Sequence, residues 1–570
     1  MTQSRTTRRA IYGRLGSTTD QQGTETYAYD DRDAITQKVV TYAGLPGKTI
    51  GKAYHADGSI QTVSTPAGSF GFAYDGAGRM VSQTNPFGET TGYTYLNNDW
   101  LAAQTLANGA GVSFTHNAVG QLTAQVNTLG AATLSQFTGM TYDGVGNRTN
   151  VTSGVTGQAA LSGATTYTYD AKNQLTQEAS ARAGGYTNNF VYDSSGNPTT
   201  FKGQSRTHNA KNQLTNTGFG YDSDGNPTTY NGLAATFNVN DCLTALGTQL
   251  TAGYTGEGLR AWKQNNAGTR TYFLYDNGVP VCELDGAGAV VSTNTFGPNG
   301  LVSRRTGGSS AFYTFDERGG TVQRLNSAGT VLSSRMTDAF GTPGGSASTG
   351  DPYDGFGGQW GYYTDAETGL QLCTYRYYDP ATGRWINRDP IGYAGGVNLY
   401  TYCNNNPVLS NDSSGLASWV TKPDDLGLTY YGHAWIKMNK PCGPNKTKSF
   451  GFWPNSQSGM WPGGGERGEI HSPDLDGETY VHDRIDNPEF EAALCACIVA
   501  DMGATLPGGG GNFSKEYTWR VPLYMCGSWA KDMWDCASRK LLKEKGYGYF
   551  LEKGNNVRLV SPWPFRTISY

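Results

Sequence analysis

YDSSGNPTT at residues 192–200 returns as YDSDGNPTT at residues 221–229, and the reading of this nonapeptide decides the fold of the chain. Related copies are YDGAGRM from Tyr74, YDGVGNRT from Tyr142 and YDAKNQLT from Tyr169. Weaker ones start at Phe114, Phe237, Tyr254 and Tyr275. Each has the same grammar: a short strand ending in an aromatic residue, an Asx and glycine turn, then a second short strand. One hairpin cannot bury its own apolar face, so units repeating every 20 to 30 residues must stack on their neighbours. The composition agrees. Glycine occurs 79 times and tyrosine 36 times in 570 residues, about twice the usual glycine share of roughly 7%. Proline is too scarce for collagen, aromatic residues are too many for a disordered chain, and good helix formers are displaced over most of the length. The expected class is mainly β.

The formal charge of −4 argues against broad electrostatic attraction to nucleic acid or an anionic membrane. No run of 18 apolar residues is present, so no transmembrane helix is expected. The opening MTQSRTTRRAIYGRLGS has no signal-peptide core. The chain changes character after Leu416. The last 154 residues hold 17 of the 43 Lys and Arg, 17 of the 47 Asp and Glu, and five of the nine cysteines. Three segments follow: repeats over 1–360, a closing segment over 361–416, and a C-terminal domain over 417–570.

The recurring Tyr-Asp-x-x-Gly resembles the YD repeats of the Rhs proteins, whose repeats wind into a β-shell or cocoon. GYYTDAETGLQLCTYRYYDPATGRWINRDPIGYAGGVNLYTYCNNNPVLSNDSSGL, residues 361–416, resembles the Rhs-associated core that closes that shell. The resemblance implies a polymorphic toxin made in the bacterial cytoplasm and delivered to a target cell without a signal peptide. A shell would enclose the C-terminal effector. It also implies a cognate immunity protein and a secretion or delivery apparatus as partners. In this family two Asp-Pro-x-Gly-Leu motifs supply an aspartyl-protease pair that cuts the chain after the second motif. Carried onto this sequence, the pair is Asp389 and Asp412, sharing a proton and activating water. Arg388 would help hold them, and scission would fall between Leu416 and Ala417. Tyr393 and Ser413 depart from the motif, while both carboxylates and both glycines are kept. The alternative is that both aspartates simply cap tight turns.

In the tail, TYYGHAWIKM at 429–438 reads as a strand, with KSFGFWP at 448–454 as its antiparallel neighbour. NPEFEAALCACIVADMG at 487–503 carries helix-start signals, and a second helix is expected after Cys526. At such a helix start the exposed N–H groups stabilise a thiolate, which makes Cys526 the candidate nucleophile. His433 is the candidate base, and the backbone N–H groups of Gly527 and Ser528 could face an oxyanion. The order of His before Cys, and the lead of Cys526 into a helix, resemble the circularly permuted papain-like NlpC/P60 proteins. That resemblance implies a small α+β papain-like cysteine hydrolase or acyltransferase acting on a peptide, amide or ester bond. Protein, peptidoglycan peptide and lipid are the candidate substrates. His471 is the first choice for a third member, ahead of Asn455 and Glu469. A zinc site from Cys495, Cys497, His471 and His482 is disfavoured, because Cys-x-Cys on a helix points its thiols apart. The expectation is no cofactor, no metal and no nucleic-acid partner. The alternatives are a nuclease tail, or a structural or adhesive repeat protein without a catalytic tail.

Overall fold

A computed structural model describes residues 6–9, 14–346 and 349–416, together with the backbone of tail strands within 419–568. The described residues fall into two compact units, one with nearly all of the repeats and the closing segment, the other with most of the tail strands. Among the described residues there is no α-helix, only strands and short 3-10 turns. The repeats make a mainly-β shell, as the hairpin grammar predicts.

The turn shows why Tyr-Asp-x-x-Gly recurs. At Asp143 one carboxylate oxygen accepts the N–H groups of Val145 (3.0 Å) and Asn147 (2.8 Å), and the other accepts the Asn147 amide (2.9 Å). The Gly146 N–H donates to the Asp143 carbonyl, and Gly146 takes φ +93°, which a side chain resists. The aspartate therefore satisfies the donors that the reversal strips from the ladder. The tyrosine does a second job. The Tyr142 hydroxyl donates to the Leu122 carbonyl at 2.6 Å, Tyr169 to Arg148 at 2.7 Å and Tyr192 to Leu175 at 2.8 Å. Each accepting carbonyl lies just past the turn of the preceding repeat. Each of these three repeats is thus tied to the one before it.

Because neighbours in sequence pair in space, the chain forms long antiparallel meanders. A 19-stranded sheet runs from Thr6 to Ser205 and a 14-stranded sheet from Gly220 to Gly345. The second sheet lies along the first in the same direction. Asn85 reaches Thr295 (3.4 Å), Asn127 the Phe315 carbonyl (2.9 Å), Arg148 reaches Glu317 (3.1 Å), and Arg182 the Thr337 carbonyl (3.2 Å). Partners advance together along both sheets, as in a ribbon whose second lap rests on its first. Aromatic side chains fill the space behind: Phe190, Phe201 and Phe340 pack at centroid distances of 4.9–5.3 Å.

The closing segment covers the turn ends of the later repeats and reads them one by one with amide side chains. Asn406 donates to Asn147 (3.0 Å) and to the Asn173 carbonyl (3.0 Å). Asn405 donates to Gln174 (2.9 Å) and the Gly196 carbonyl (2.8 Å), and Asn398 to Asn197 (2.7 Å). Arg384 donates to Asn197 (3.0 Å) and the Asn212 carbonyl (2.6 Å). Asn387 donates to the Asp241 carbonyl (2.8 Å) and Tyr400 to that of Gly225 (2.8 Å). At Gly225, φ is +85° and a Cβ would strike Arg388 and Tyr400.

In the tail, the backbone strands Trp435–Cys442, Thr447–Pro454 and Gly468–His471 form an antiparallel sheet, with Trp435 opposite Gly451 and Gly451 opposite His471. Of the strand pair expected at 429–438 and 448–454, residues 435–438 pair antiparallel with the second strand, while 429–434 lie outside the described residues. The helices expected at 487–503 and after Cys526 lie outside the described residues.

Replacing Tyr142 with Phe removes one tie between repeats while keeping the ring. The expected loss is about 1 kcal/mol, typical of one net hydrogen bond. Gly225→Ala is expected to cost more than that, because it adds a steric clash to the backbone strain. Urea unfolding midpoints of the three proteins check both.

Candidate functional site

The site is assembled where the closing segment folds back on itself. Gln371–Cys373 and Arg376–Asp379 form a hairpin whose connection, Thr374 and Tyr375, receives the end of the segment. The Thr374 hydroxyl donates to the Ser413 carbonyl (3.0 Å) and the Tyr375 N–H to that of Ser414 (3.1 Å). This clamps the Asp412 loop against Arg376. Both Asp-x-x-Gly motifs turn on a left-handed glycine, Gly392 at φ +63° and Gly415 at φ +73°. At Gly415 the approach is also close: a Cβ there would lie 2.7 Å from the Cys373 carbonyl oxygen.

The structure brings Asp389 and Asp412 to one guanidinium. Arg376 Nη2 is 2.8 Å from Asp389 Oδ2 and 3.5 Å from Asp412 Oδ2. Arg376 Nε also donates to the Gly415 carbonyl, and its plane lies 4.2 Å from the centroid of Trp385. All three charged residues are buried, with Asp412 at 1% exposure. Asp412 Oδ1 accepts the Ser414 hydroxyl (3.0 Å) and the N–H groups of Gly415 (2.8 Å) and Leu416 (3.3 Å). Its own N–H donates to the Tyr362 hydroxyl at 2.7 Å, which in turn lies 2.7 Å from the Tyr402 hydroxyl. Asp389 Oδ1 accepts the Ile391 N–H at 3.1 Å. Both aspartates therefore cap turns, as the simpler reading has it, and both also meet at Arg376.

Burial pushes the Asp389 carboxyl above its ordinary range, with the Arg376 guanidinium pulling it back. Burial likewise lowers the pKa of Arg376, against the pull of Asp389 and then Asp412. Two acids and one cation in a desolvated pocket leave an excess negative charge unless one carboxyl keeps a proton. Leu416 lies at the rim, its N–H held by Asp412, while Ala417 lies outside the described residues.

Arg388 stands elsewhere, packed with Gly225 and Tyr400. The cation at the pair is Arg376, thirteen residues before Asp389, in TYRYYD. The only signal for it in the sequence is an arginine flanked by tyrosines in a buried hairpin, which does not separate a site residue from a core one.

In the tail, His471 ends the third strand. His433, Asn455, His482, Cys495, Cys497, Cys526, Gly527 and Ser528 lie outside the described residues. The shell's own cysteines, Cys242, Cys282, Cys373 and Cys403, are free and buried. Burial raises the thiol pKa of each, to about 12 at Cys242 and about 11 at Cys282. They are therefore poor nucleophiles. Among the described residues no group of three metal-binding side chains converges, and no helix is long and apolar enough to cross a membrane.

Comparison with known proteins places this geometry. The Teneurin YD-shell family model matches residues 128–408, and the RHS Repeat model matches residues 74–110. The tRNA3(Ser)-specific nuclease WapA of Bacillus spizizenii is 28% identical over 424 residues, covering 72% of this chain and 16% of its own length. The Double-stranded DNA deaminase toxin A of Burkholderia cenocepacia is 54% identical over 57 residues, 10% of this chain and 4% of that protein. The chain thus spans a small part of the curated relatives it matches. Among solved structures, TcdB2-TccC3 superimposes with a TM-score of 0.62 at 18% identity, over 72% of this chain and 26% of that one. That likeness is one of fold.

Arg376→Met is expected to cost about 3–5 kcal/mol at pH 7.5, because it strands two buried carboxylates. Part of the loss should return at pH 5, since the Asp389 carboxyl, raised by burial, binds a proton in the folded state first. Urea unfolding at both pH values reads the effect. A smaller penalty at pH 7.5 than at pH 5 would contradict it.

The hairpin ties, the lap-on-lap sheets and the closing segment that reads the turns make residues 15–416 a mainly-β YD-repeat shell, similar to the Teneurin YD-shell and RHS Repeat families and followed by a C-terminal region.

Proposed function

We propose that the chain is a polymorphic toxin in which a YD-repeat shell carries a C-terminal effector and separates from it by cutting its own backbone after Leu416. The observation that supports this reading is the convergence of Asp389 and Asp412 on Arg376, with the Leu416 N–H held on Asp412 Oδ1. In the cut, the Asp412 carboxylate takes a proton from water and the oxygen attacks the Leu416 carbonyl carbon. Asp389, whose carboxyl burial favours in the protonated form, gives its proton to the Ala417 nitrogen as the C–N bond breaks. The products are a Leu416 carboxylate and an Ala417 amine. Arg376 positions both acids and polarises the Gly415 carbonyl next to the bond.

Asp389→Asn and Asp412→Asn are each expected to slow the cut at least 100-fold. Mass spectrometry of purified protein reads it. Wild type should give a tail that starts at Ala417, and each variant a chain of 61.1 kDa. An intact wild-type chain, or cutting in both variants, would sink the proposal.

For the effector we infer an enzyme, and the relatives favour action on nucleic acid. The relatives matched over a third or more of this chain are named as tRNA nucleases, and one matched over 57 residues is named a double-stranded DNA deaminase toxin. A second reading rests on the tail's own residues: a hydrolase with Cys526 as nucleophile, His433 as base and His471 as orienting group. Gly527 and Ser528 would supply its oxyanion donors. A cognate immunity protein and a delivery apparatus belong to both readings. Target cells exposed to the wild-type chain and to Cys526→Ala separate them. Degraded or edited nucleic acid that survives the substitution supports the first. Toxicity abolished by it, with nucleic acid intact in both, supports the second. Under the second reading a brief iodoacetamide treatment of the native protein labels Cys526 and leaves the four shell cysteines untouched.

A further inference from the structure

Two repeat units break the Tyr-Asp rule in the same way. THNAVGQL places His116 and Asn117, and THNAKNQL places His208 and Asn209, where the copies from Tyr74, Tyr142, Tyr169, Tyr192 and Tyr221 have Tyr and Asp. The turns survive, because Asn117 and Asn209 accept the same N–H groups as aspartate does. The imidazoles, however, do not make the tyrosine's tie. Both ring nitrogens of His116 and of His208 are buried and lack a hydrogen-bond partner. At His116 the ring packs edge-on to Trp100, with centroids 4.9 Å apart. At His208 it sits on the seam between the repeats and the closing segment.

The charged groups facing the His208 ring are Arg384, Asp193 and Arg206. Arg206 donates to the Ala381 carbonyl at 3.3 Å, and Arg384 donates to Asn197 and Asn212. Both guanidiniums therefore fasten residues 381–384 to the repeats. Arg384 is 3% exposed, and among the described residues no carboxylate lies at ion-pair distance from it. Its pKa is lowered by burial to about 10. Asp193 is already spent on its own turn, where it accepts the Ser195 and Asn197 N–H groups and the Asn197 amide. The seam thus holds two cations on amide and carbonyl dipoles, with the Tyr400 ring 5.6 Å from the Arg384 guanidinium and a neutral imidazole between the elements they join.

We propose that His208 is an acid-operated release on the closing segment: a proton on its ring sets a third cation beside Arg206 and Arg384 and loosens residues 381–400 from the turns at Asn197 and Asn212. A shell that stays shut near neutral pH would open at this seam on entering an acidified compartment.

The sign follows from linkage. Burial, then the neighbouring Arg384, lowers the His208 pKa to about 4, against about 6.5 for an unfolded histidine. The open seam binds a proton that the closed seam refuses, so closure is undiminished above about pH 6.5 and weakens as pH falls toward 4. Asp193 does not compensate. Burial raises its pKa, but the hydrogen bonds from Asn197 and Ser195 outweigh this and leave it lowered, so it is ionised through the window.

Hydrogen–deuterium exchange on the full chain at pH 7.5 and pH 5.0, corrected for intrinsic chemistry, tests this. Peptides spanning 193–214 and 381–400 should exchange about three- to tenfold faster at pH 5.0, a range discounted for the ring's partial exposure. His208→Tyr, which restores the residue the repeats prefer, and His208→Phe should both abolish that increment. His116→Phe, remote from Arg384, should leave it in place. No acceleration in wild type, or the same acceleration in both His208 variants, would overturn the proposal.

Discussion

The rest of the described structure depends on the tie, seen at Tyr142, Tyr169 and Tyr192, between a repeat's tyrosine hydroxyl and the carbonyl just past the preceding turn. A hairpin by itself is marginal, since it exposes one edge and one apolar face. The tyrosine turns a row of hairpins into a ribbon with a fixed offset, because its hydroxyl reaches a single carbonyl when the turn before it has the Asx form. The aspartate makes that form obligatory by accepting two N–H groups on one oxygen. Glycine permits it by taking positive φ. Tyrosine, aspartate and glycine are thus three parts of one joint, which accounts for the tyrosine and glycine excess in the composition.

A ribbon of this kind has ends of hairpins along both rims, and those ends are polar. The structure satisfies them by layering. One rim of the first lap meets the second lap through Asn, Gln and Arg side chains, and the turn ends of the later repeats meet the closing segment. The closing segment carries Asp389 between Asn387 and Asn398, each bonded to a repeat turn. The geometry at Arg376 is consequently coupled to the repeats, and the acidic pair comes together where the repeats have set the closing segment. His208 lies on the same seam, one repeat unit from Asn197.

Much of this was legible in the sequence. The hairpin grammar announced the β-shell, the 361–416 segment announced its closure, and the two Asp-x-x-Gly motifs picked out both carboxylates that meet. Turns of identical form at Asn85, Asn265, Asp285 and Asn326 were not legible, because no tyrosine marks them. Arg376 was not legible either. Arg388 is adjacent to Asp389 in the chain, but its side chain packs with Gly225 and Tyr400, while Arg376 arrives from a neighbouring hairpin. Proximity in sequence is a poor guide where a short loop reverses direction at each glycine. The tail's candidates rest on motif and residue type alone.

By itself the sequence determined most of what is local and repeated: which residues reverse the chain where a tyrosine marks the turn, which rings tie one hairpin to the next, and where the repeats stop. These are interactions within about 20 residues, and each recurs often enough to be read. Tertiary structure alone decided which lap lies on which, which turns the closing amides read, and which arginine neutralises the acids. Those contacts join residues more than a hundred positions apart, or side chains whose direction is set by packing. A one-dimensional pattern carries no record of them.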